Sequence, residues 1–470
     1  MRRFGTRIWY AVGDYMATTM SWLVFFSFRK IHFENVNFKY LSSSFKDPNF
    51  LKGIILIPLL WCIAFTIFGF YKDIYRKSRM KELINTLIVI LLGSLFLFFS
   101  LITDDIIKDY SNLSTSFLML MSTHVFIVIS YRMLFLGFCK KQLENSKVSF
   151  NTLIIGGNQK ALELYEEILE KSNYLGNNYV GFVQINGNKT PLDKYLSNLG
   201  KLNAIDEILK KHNIEEVIIA IESSEHALLN EIIYELVNKK LFIKIIPDIY
   251  DIVTGAVKVS NVFGTALIEV FPDLIPQWQK NFKRIIDIIG SASFLLLFSP
   301  LYIYIALRVK FSSPGPIFYL QERVGVHNKP FKIIKFRSMR INAEKAGPAL
   351  TQDNDPRITA WGNTMRKLRL DELPQFFNVL IGQMSIVGPR PERQFFIDQI
   401  LPRAPHYKYL QKVRPGITSL GQVKYGYADN VDQMIKRLKY DILYIENMSL
   451  GLDLKILFFT VFTVIKGKGK

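Results

Sequence analysis

The chain has 470 residues, 49% of them hydrophobic, and a mean hydropathy of +0.17, which is high for a purely water-soluble protein of two or three domains. Its formal net charge of +19 admits nucleic acid, an anionic membrane surface or anionic substrates; nucleic acid is disfavoured because the basic residues flank apolar runs and form no separate arm. Two cysteines, Cys62 and Cys139, lying in or beside apolar runs, and six scattered histidines argue against a disulfide framework or a zinc site.

Four apolar runs come first, at about Ile8 to Phe28, Gly53 to Tyr71, Leu83 to Ile102 and Phe117 to Gly137. Each approaches the ~20 residues that cross hydrocarbon as a helix. No small-residue cleavage site follows the first, so no cleavable signal peptide is expected. Arg2, Arg3 and Arg7 precede the first run, and Lys72, Arg76, Lys77, Arg79 and Lys81 crowd the second loop, whereas the third carries Asp104, Asp105 and Asp109. The bias of basic loops toward the cytoplasm puts the N-terminus and the second loop inside, with Lys140, Lys141 and Lys147 returning the chain there. The first loop, with Arg29, Lys30, Lys39, Lys46 and Lys52, is discordant.

From 148 to 270 the pattern alternates. Strand-like Asn151 to Ile155, Tyr179 to Gln184, Glu216 to Ile221 and Phe242 to Ile246 are interleaved with helix-like Gln159 to Glu170, Ile205 to Lys211 and Glu225 to Lys240. Such a series predicts a Rossmann-like α/β domain with a parallel sheet. Gly156-Gly157-Asn158 at the first strand-to-helix turn is a weak dinucleotide signal, because the pattern needs glycine at Asn158 and an acid where Gln184 stands. A regulatory or assembly module is the alternative.

Residues 285–309 are apolar for long enough to span, yet Ser299-Pro300 sits near their centre, and Lys280, Lys283 and Arg284 before and Arg308 and Lys310 after are basic. Proline removes a backbone donor and clashes with the preceding turn, so the helix bends there. Positive flanks at both ends favour a re-entrant helix-break-helix over a fifth span. The polar stretch Ala343 to Asp355 reads as a loop over the site. Leu454 to Ile465 is too short to span and, with Lys466, Lys468 and Lys470 after it, reads as an interfacial helix with a basic tail.

The chemistry concentrates at Asp371-Glu372, preceded by Arg357, Arg366, Lys367 and Arg369 and followed by Gly388-Pro389-Arg390-Pro391 and Arg393. A lone carboxylate repels an anionic phosphoryl group, but one held beside a divalent cation and several guanidinium groups can attack it or hold the metal. The plainer alternative is an acidic first turn of a helix. Arg390 has Glu392 as an alternative partner, Arg366 and the alternating pair Lys335 and Arg337 have solvent, and Arg414 before Pro415-Gly416 shares that ambiguity.

The order Lys283-Arg284-Ile285-Ile286-Asp287, Ser299-Pro300, Ser313-Pro314-Gly315-Pro316, Gln321-Glu322-Arg323-Val324-Gly325, Lys335-Phe336-Arg337-Ser338-Met339, Asp371-Glu372 and Val413-Arg414-Pro415-Gly416 resembles the bacterial monotopic polyprenyl-phosphate phosphoglycosyl transferases. The whole chain looks like their larger members. The resemblance implies a multidomain membrane protein with four transmembrane helices at 1–147, the Rossmann-like domain at 148–270, and a mainly α (α+β) catalytic domain at 271–470 with its re-entrant helix at 285–309.

It also implies transfer of a sugar 1-phosphate from a UDP-sugar to undecaprenyl (polyprenyl) phosphate, with release of UMP. Asp371 would be nucleophile and Mg2+ ligand, and Glu372 its catalytic neighbour. Arg366, Arg390, Lys335, Arg337 and Arg414 would bind substrate. Lys283 and Arg284 would meet the lipid phosphate or, like Asp287, tie the helix to the soluble domain. The partners are the UDP-sugar, the lipid phosphate and the bilayer, without nucleic acid; a homodimer is left open. The expected location is the bacterial inner membrane, multi-pass, with the catalytic domain facing the cytoplasm. A non-catalytic membrane scaffold or nucleotide sensor is the rival reading. No motif names the sugar or the pathway.

Overall fold

The computed structural model describes residues 2–33, 36–37, 45–102, 110–171, 176–185, 190–221, 226–239, 241–246, 267–270, 274–341, 343, 347, 355–426 and 428–465. The acidic third loop at 104–109, most of the loop at 343–355 and the basic tail at 466–470 lie outside the described residues. Two compact units are formed, Met1–Phe150 with Leu169–Asn178, and Asn151–Ile168 with Tyr179–Lys470.

In the first unit α1 (Arg2–His32), α2 (Pro48–Ile67), α3 (Arg79–Ile102) and α4 (Tyr110–Glu144) occupy the four apolar runs. Asp47 caps α2 by accepting from Asn49 N at 2.9 Å, and Pro48 fits the first turn, where its missing N–H costs nothing. The stretches Pro48–Ile67, Arg79–Ser100 and Ser114–Glu144 are long and apolar enough to cross a membrane; α1 is more polar than these three. Trp22, Phe26, Phe50, Trp61, Phe65 and Ile90 build the core. Within it Arg132 of α4 donates Nε and Nη2 to the Asp14 carboxylate of α1 at 3.0 and 2.8 Å, and Nη1 to Thr86 Oγ1 of α3 at 2.8 Å. Its guanidinium lies 3.9 Å from the Phe65 ring centroid and 4.2 Å from that of Phe70. A bidentate, stacked pair of this kind lets two charges sit in an apolar core, and removing one partner alone costs about 3–5 kcal/mol.

The second unit begins with a six-stranded sheet: β1 (Phe150–Ile155), β2 (Asn177–Gln184), β3 (Asn198–Lys201), β4 (Glu216–Ile219), β5 (Phe242–Ile245) and β6 (Ile268–Val270), in the order β3-β2-β1-β4-β5-β6. It is mixed, because β6 runs antiparallel to β5 while β1–β4, β4–β5 and β2–β3 are parallel. Helices α5 (Gln159–Lys171), α6 (Ile205–Lys211) and α7 (His226–Leu236) connect the strands. The glycines after β1 have a packing role. At Gly156 (φ +120°) a Cβ would fall 2.1 Å from the Ala220 carbonyl oxygen, and at Gly157 it would meet the Thr190 side chain at 2.8 Å. Asn158 Oδ1 accepts from Ala161 N at 3.1 Å, so it serves the start of α5.

Next, α8 (Gln277–Leu297) and α9 (Ser299–Ser312) meet at a 64° bend where the sequence places its break. Pro300 begins α9, and Ser299 Oγ donates to the Leu296 carbonyl at 2.9 Å. The bend exposes apolar side chains, with Leu296 81% and Phe311 85% open. Two small sheets follow: an antiparallel hairpin of β7 (Phe318–Val324) and β8 (Pro330–Phe336), and a parallel pair of β9 (Ser385–Val387) and β10 (Gly416–Thr418). They are packed by α10 (Ala360–Lys367), α11 (Gln375–Leu380), α12 (Gln394–Ile400), α13 (Leu420–Lys424), α14 (Val431–Glu446) and α15 (Leu450–Ile465). At 16 residues α15 is too short to span, and Phe458, Phe459 and Phe462 are exposed along it.

Candidate active site

Asp371 and Glu372 are presented by a sharp turn. Thr359 caps α10, its Oγ1 accepting from Gly362 N at 2.9 Å, and the helix stops at Arg369, whose φ of +53° reverses the chain into the 3-10 turn Leu370–Glu372. A left-handed arginine is sterically disfavoured, so the turn is held by its surroundings. Those include Asn378 of α11, which accepts from Ile334 N at 3.0 Å and donates to the Lys332 carbonyl at 2.8 Å, clamping α11 to β8. The acidic pair thus sits in a 3-10 turn that ends where α11 begins, and both residues are buried.

The cations around the pair come from three elements. Lys335 of β8 lies 3.1 Å and Arg390 3.3 Å from Glu372 Oε1, and Arg369 is 3.4 Å from Oε2. Arg366 donates Nε to Ser338 Oγ at 3.0 Å. Lys335, Arg337, Arg357, Arg366, Arg390 and Asp371 share one cavity of about 580 Å³, within the range of small-molecule sites. Burial raises the Glu372 carboxyl, but Lys335, Arg390 and Arg369 overcome it and hold the group well below its usual range. Burial first, and then the charge of Glu372, push the Asp371 carboxyl up to about 6 against Lys335 and Arg366. Two adjacent carboxylates are therefore driven apart, one fixed as an anion and one poised near neutrality.

Arg337 is a buried cation with donors to spare. It is 6% exposed and donates Nη2 to the Ser313 carbonyl at 2.6 Å, yet its Nε and Nη1 find no acceptor among the described residues. Buried guanidinium donors are costly unless a ligand satisfies them. Gly315 makes room for it, since a Cβ there would lie 2.0 Å from Nη1.

The loop bearing Arg390 is fixed from behind. Glu392 pairs with Arg323 Nη1 at 3.3 Å and with Arg437 of α14, while Arg323 Nη1 also donates to the Pro391 carbonyl at 3.1 Å. Arg323 lies in one of the motifs quoted above; nothing local to α14 marks Arg437. Gly388 and Gly416 let the β9 and β10 backbones meet, a Cβ on Gly416 falling 2.1 Å from Gly388 N.

Lys283, Arg284 and Arg414 line a different cavity from Asp371. Lys283 donates to the Val387 carbonyl at 2.8 Å and pairs with Asp453 of α15 at 2.6 Å; Arg284 donates to the carbonyls of Val379 and Leu380 at 2.7 and 2.9 Å. Asp287 accepts from Ile386 N at 2.9 Å. Lys283, Arg284 and Asp287 thus tie α8 to β9, α11 and α15.

Among the described residues no group of three or more His, Cys, Asp or Glu could hold a metal alone. With Glu372 engaged by three cations and Glu392 by two, Asp371 is the carboxylate of the cavity left to a divalent ion. That fits Mg2+, which takes one or two carboxylates and completes its shell with phosphate oxygens and water.

Two family profiles match the chain, one described as bacterial sugar transferase over residues 278–467 and one as CoA-binding domain over residues 66–247. The chain is 44% identical over 224 residues to the UDP-N-acetylgalactosamine-undecaprenyl-phosphate N-acetylgalactosaminephosphotransferase of Aeromonas hydrophila, covering 48% of this chain and 52% of that protein, about half the relative's length. It is 31% identical over 433 residues to the UDP-glucose:undecaprenyl-phosphate glucose-1-phosphate transferase of Klebsiella pneumoniae, covering 90% and 91% of the two chains. A third relative, the exopolysaccharide production protein PSS of Rhizobium leguminosarum bv. phaseoli, is 39% identical over 197 residues, which are 40% of this chain and 97% of that one. With a basic cavity around a poised carboxylate, and a relative matched over nine-tenths of both chains, the protein belongs to the bacterial sugar transferases and is a membrane phosphotransferase of the polyprenyl-phosphate phosphoglycosyl transferase kind.

Proposed function

We propose that the protein transfers a sugar 1-phosphate from a UDP-sugar to undecaprenyl phosphate and releases UMP, as the first membrane step of a surface polysaccharide. The observation that carries this is Asp371, buried beside four cationic side chains and a guanidinium with two unmet donors. An Asp371 oxygen attacks the β-phosphorus, the bond to the bridging oxygen breaks, and UMP leaves with that oxygen. The aspartyl-phosphosugar is then attacked at the same phosphorus by a phosphate oxygen of the lipid, which frees the carboxylate. A carboxyl near 6 is ionised at pH 7 and more nucleophilic than an ordinary aspartate.

Lys335, Arg337, Arg366 and Arg390 bind and orient the diphosphate, and Glu372 holds Lys335 and Arg390 in place. Asp371 would hold Mg2+, which would supply neutralisation of the charge that builds on the departing UMP.

Membrane placement follows the same reading: α1 to α4 cross, and α8 and α9 form a re-entrant pair. Both arms pack on one short segment of the catalytic part, Phe294 stacking on Phe376 at 4.2 Å while Tyr302 OH donates to the Leu373 carbonyl at 2.7 Å and Arg308 lies over Trp361 at 4.8 Å. A straight span would carry those arms to opposite faces. The catalytic domain then faces the cytoplasm, where nucleotide sugars are. UMP release from a panel of UDP-sugars, with and without undecaprenyl phosphate, tests the activity and identifies the sugar. No release with any member of the panel would refute it in favour of a scaffold or sensor.

A further inference from the structure

The turn that carries Asp371 and Glu372 is loosely held by its own backbone. Arg369 enters it at a φ of +53°, and its two internal bonds, Glu372 N to the Arg369 carbonyl and Leu373 N to the Leu370 carbonyl, are both 3.3 Å long, past the usual N–H···O range. Pro374 beyond it has no N–H to give, and Phe376 N reaches the Leu373 carbonyl at 3.1 Å. A shorter bond to that same carbonyl comes from outside the turn, donated by Tyr302 OH of α9 at 2.7 Å. Leu373 directly follows Glu372, so this bond fixes the backbone at the end of the acidic pair.

Tyr302 also reaches the opposite side of the site. Its ring lies 5.8 Å from that of Phe336, which stands between Lys335 and Arg337, two cations of the cavity. Ile305 and Val309 of α9 are buried with Phe336 and with Met365 of α10, and Leu370 and Leu373 of the turn pack on this cluster beside Tyr302. One face of α9, with Tyr302, Ile305 and Val309 at helical spacing, thus carries the acidic turn and the cation-bearing strand together. On another face Ile303, Leu307 and Phe311 follow one another at every fourth position and are exposed. Tyr302 is not among the described residues that line the cavity at Asp371, so it acts on the reaction only through the groups it holds.

We propose that Tyr302 is a positioning residue for the reaction at Asp371: its hydroxyl sets the acidic turn and its ring sets the strand of Lys335 and Arg337, so that the attacking carboxylate and the cations that receive the diphosphate keep a fixed spacing. This rests on the reading of Asp371 as the nucleophile. Without the hydroxyl the turn relaxes about its long internal bonds, and a small displacement of the nucleophile lowers the rate of attack while the cations still bind the nucleotide.

The test uses the full chain in phosphatidylcholine nanodiscs. Single-turnover adduct formation is read by intact mass, with the UDP-sugar that the panel identifies and no lipid acceptor, and UMP is titrated calorimetrically alongside. Tyr302→Phe, which keeps the ring on Phe336, slows adduct formation by about three- to tenfold and leaves the affinity for UMP unchanged. Tyr302→Leu, which loses the ring as well, slows it further. Tyr304→Phe, the same change at an exposed neighbour that sits edge-on to Trp361 at 6.1 Å, alters neither quantity. A parental rate in Tyr302→Phe, even with lowered thermal stability, or a UMP affinity that falls in step with the rate, overturns the positioning role. If the parent transfers sugar without an adduct, the nucleophile reading fails by itself, and Tyr302 is decided by overall transfer, where kcat is expected to fall at unchanged KM. A parent with neither adduct nor transfer overturns both.

Discussion

Replacing Glu372 by Gln keeps the side chain's shape and removes the charge on which three cations converge. Lys335, Arg390 and Arg369 lie 3.1, 3.3 and 3.4 Å from its oxygens, and Glu372 itself is 11% exposed. Each charge-assisted bond is worth about 1.5–3 kcal/mol. The cations keep 15–22% exposure and regain water, so the loss to the domain is on the order of 2–4 kcal/mol and not the sum of three bonds. The second effect is on Asp371, whose carboxyl is raised to about 6 by burial and then by Glu372. A neighbouring charge in a partly desolvated site is worth on the order of one pK unit. Asp371 must be ionised to attack, so adduct formation in the parent is lost as pH falls through about 6. In Glu372→Gln the same limb lies about one unit lower. Single-turnover adduct formation, read by intact mass across pH, measures both limbs even though overall transfer is severely impaired. A limb that stays at about 6, or moves up, would refute the assignment of Glu372 as the group that tunes Asp371.

Asp14→Asn removes the bidentate partner of Arg132, leaving it Glu82 at 3.9 Å, and lowers the stability of the four-helix unit by about 3 kcal/mol, whereas Asp14→Leu with Arg132→Met recovers most of it; thermal unfolding in detergent that is unchanged in Asp14→Asn would show the pair to be dispensable. Cysteines introduced at Lys280 and at Ser312 are both shielded from an impermeant thiol reagent in intact cells. Ser299→Ala with Pro300→Leu straightens the bend, a gain of about 3 kcal/mol in local helix propensity, and exposes the Ser312 cysteine alone. Labelling of that cysteine in the parent rules out the re-entrant arrangement. A fragment of residues 276–470 binds membrane and retains some transfer, since the cavity at Asp371 is built wholly within it; a folded, membrane-bound fragment inactive toward every substrate of the full chain assigns a catalytic role to the preceding residues.

What the sequence made legible was local. Twenty-residue apolar runs located α1 to α4, Ser299-Pro300 located the 64° bend, and alternating apolar strands located β1, β2, β4 and β5. Asn198–Lys201 and Ile268–Val270 were not legible as β3 and β6, being three or four residues long and given strand form only by their neighbours in the sheet. Phe318–Val324 hides as β7 because Gln321 to Arg323 break its apolar pattern until it pairs with β8. At the site, Asp371, Glu372, Lys335, Arg337, Arg366 and Arg390 were all visible as charges near one another in sequence or in motifs. Their pairing was not. Arg390 reaches Glu372 across 18 residues, and Glu392, its sequence neighbour, is taken by Arg323 and by Arg437, which is 45 residues on. The Asp14–Arg132 pair, 118 residues apart, has no local signal and is joined only by tertiary packing.

The central claim, that Asp371 becomes covalently bonded to the sugar phosphate, is tested most directly by intact-mass spectrometry of the purified protein quenched after mixing with its UDP-sugar in the absence of lipid acceptor. The account predicts a mass increment of one sugar phosphate, mapped to the peptide containing Asp371, accompanied by UMP, chased off by undecaprenyl phosphate, and missing from Asp371→Asn. Normal turnover by Asp371→Asn, or a parent that transfers the sugar while no adduct forms on that peptide, would contradict it.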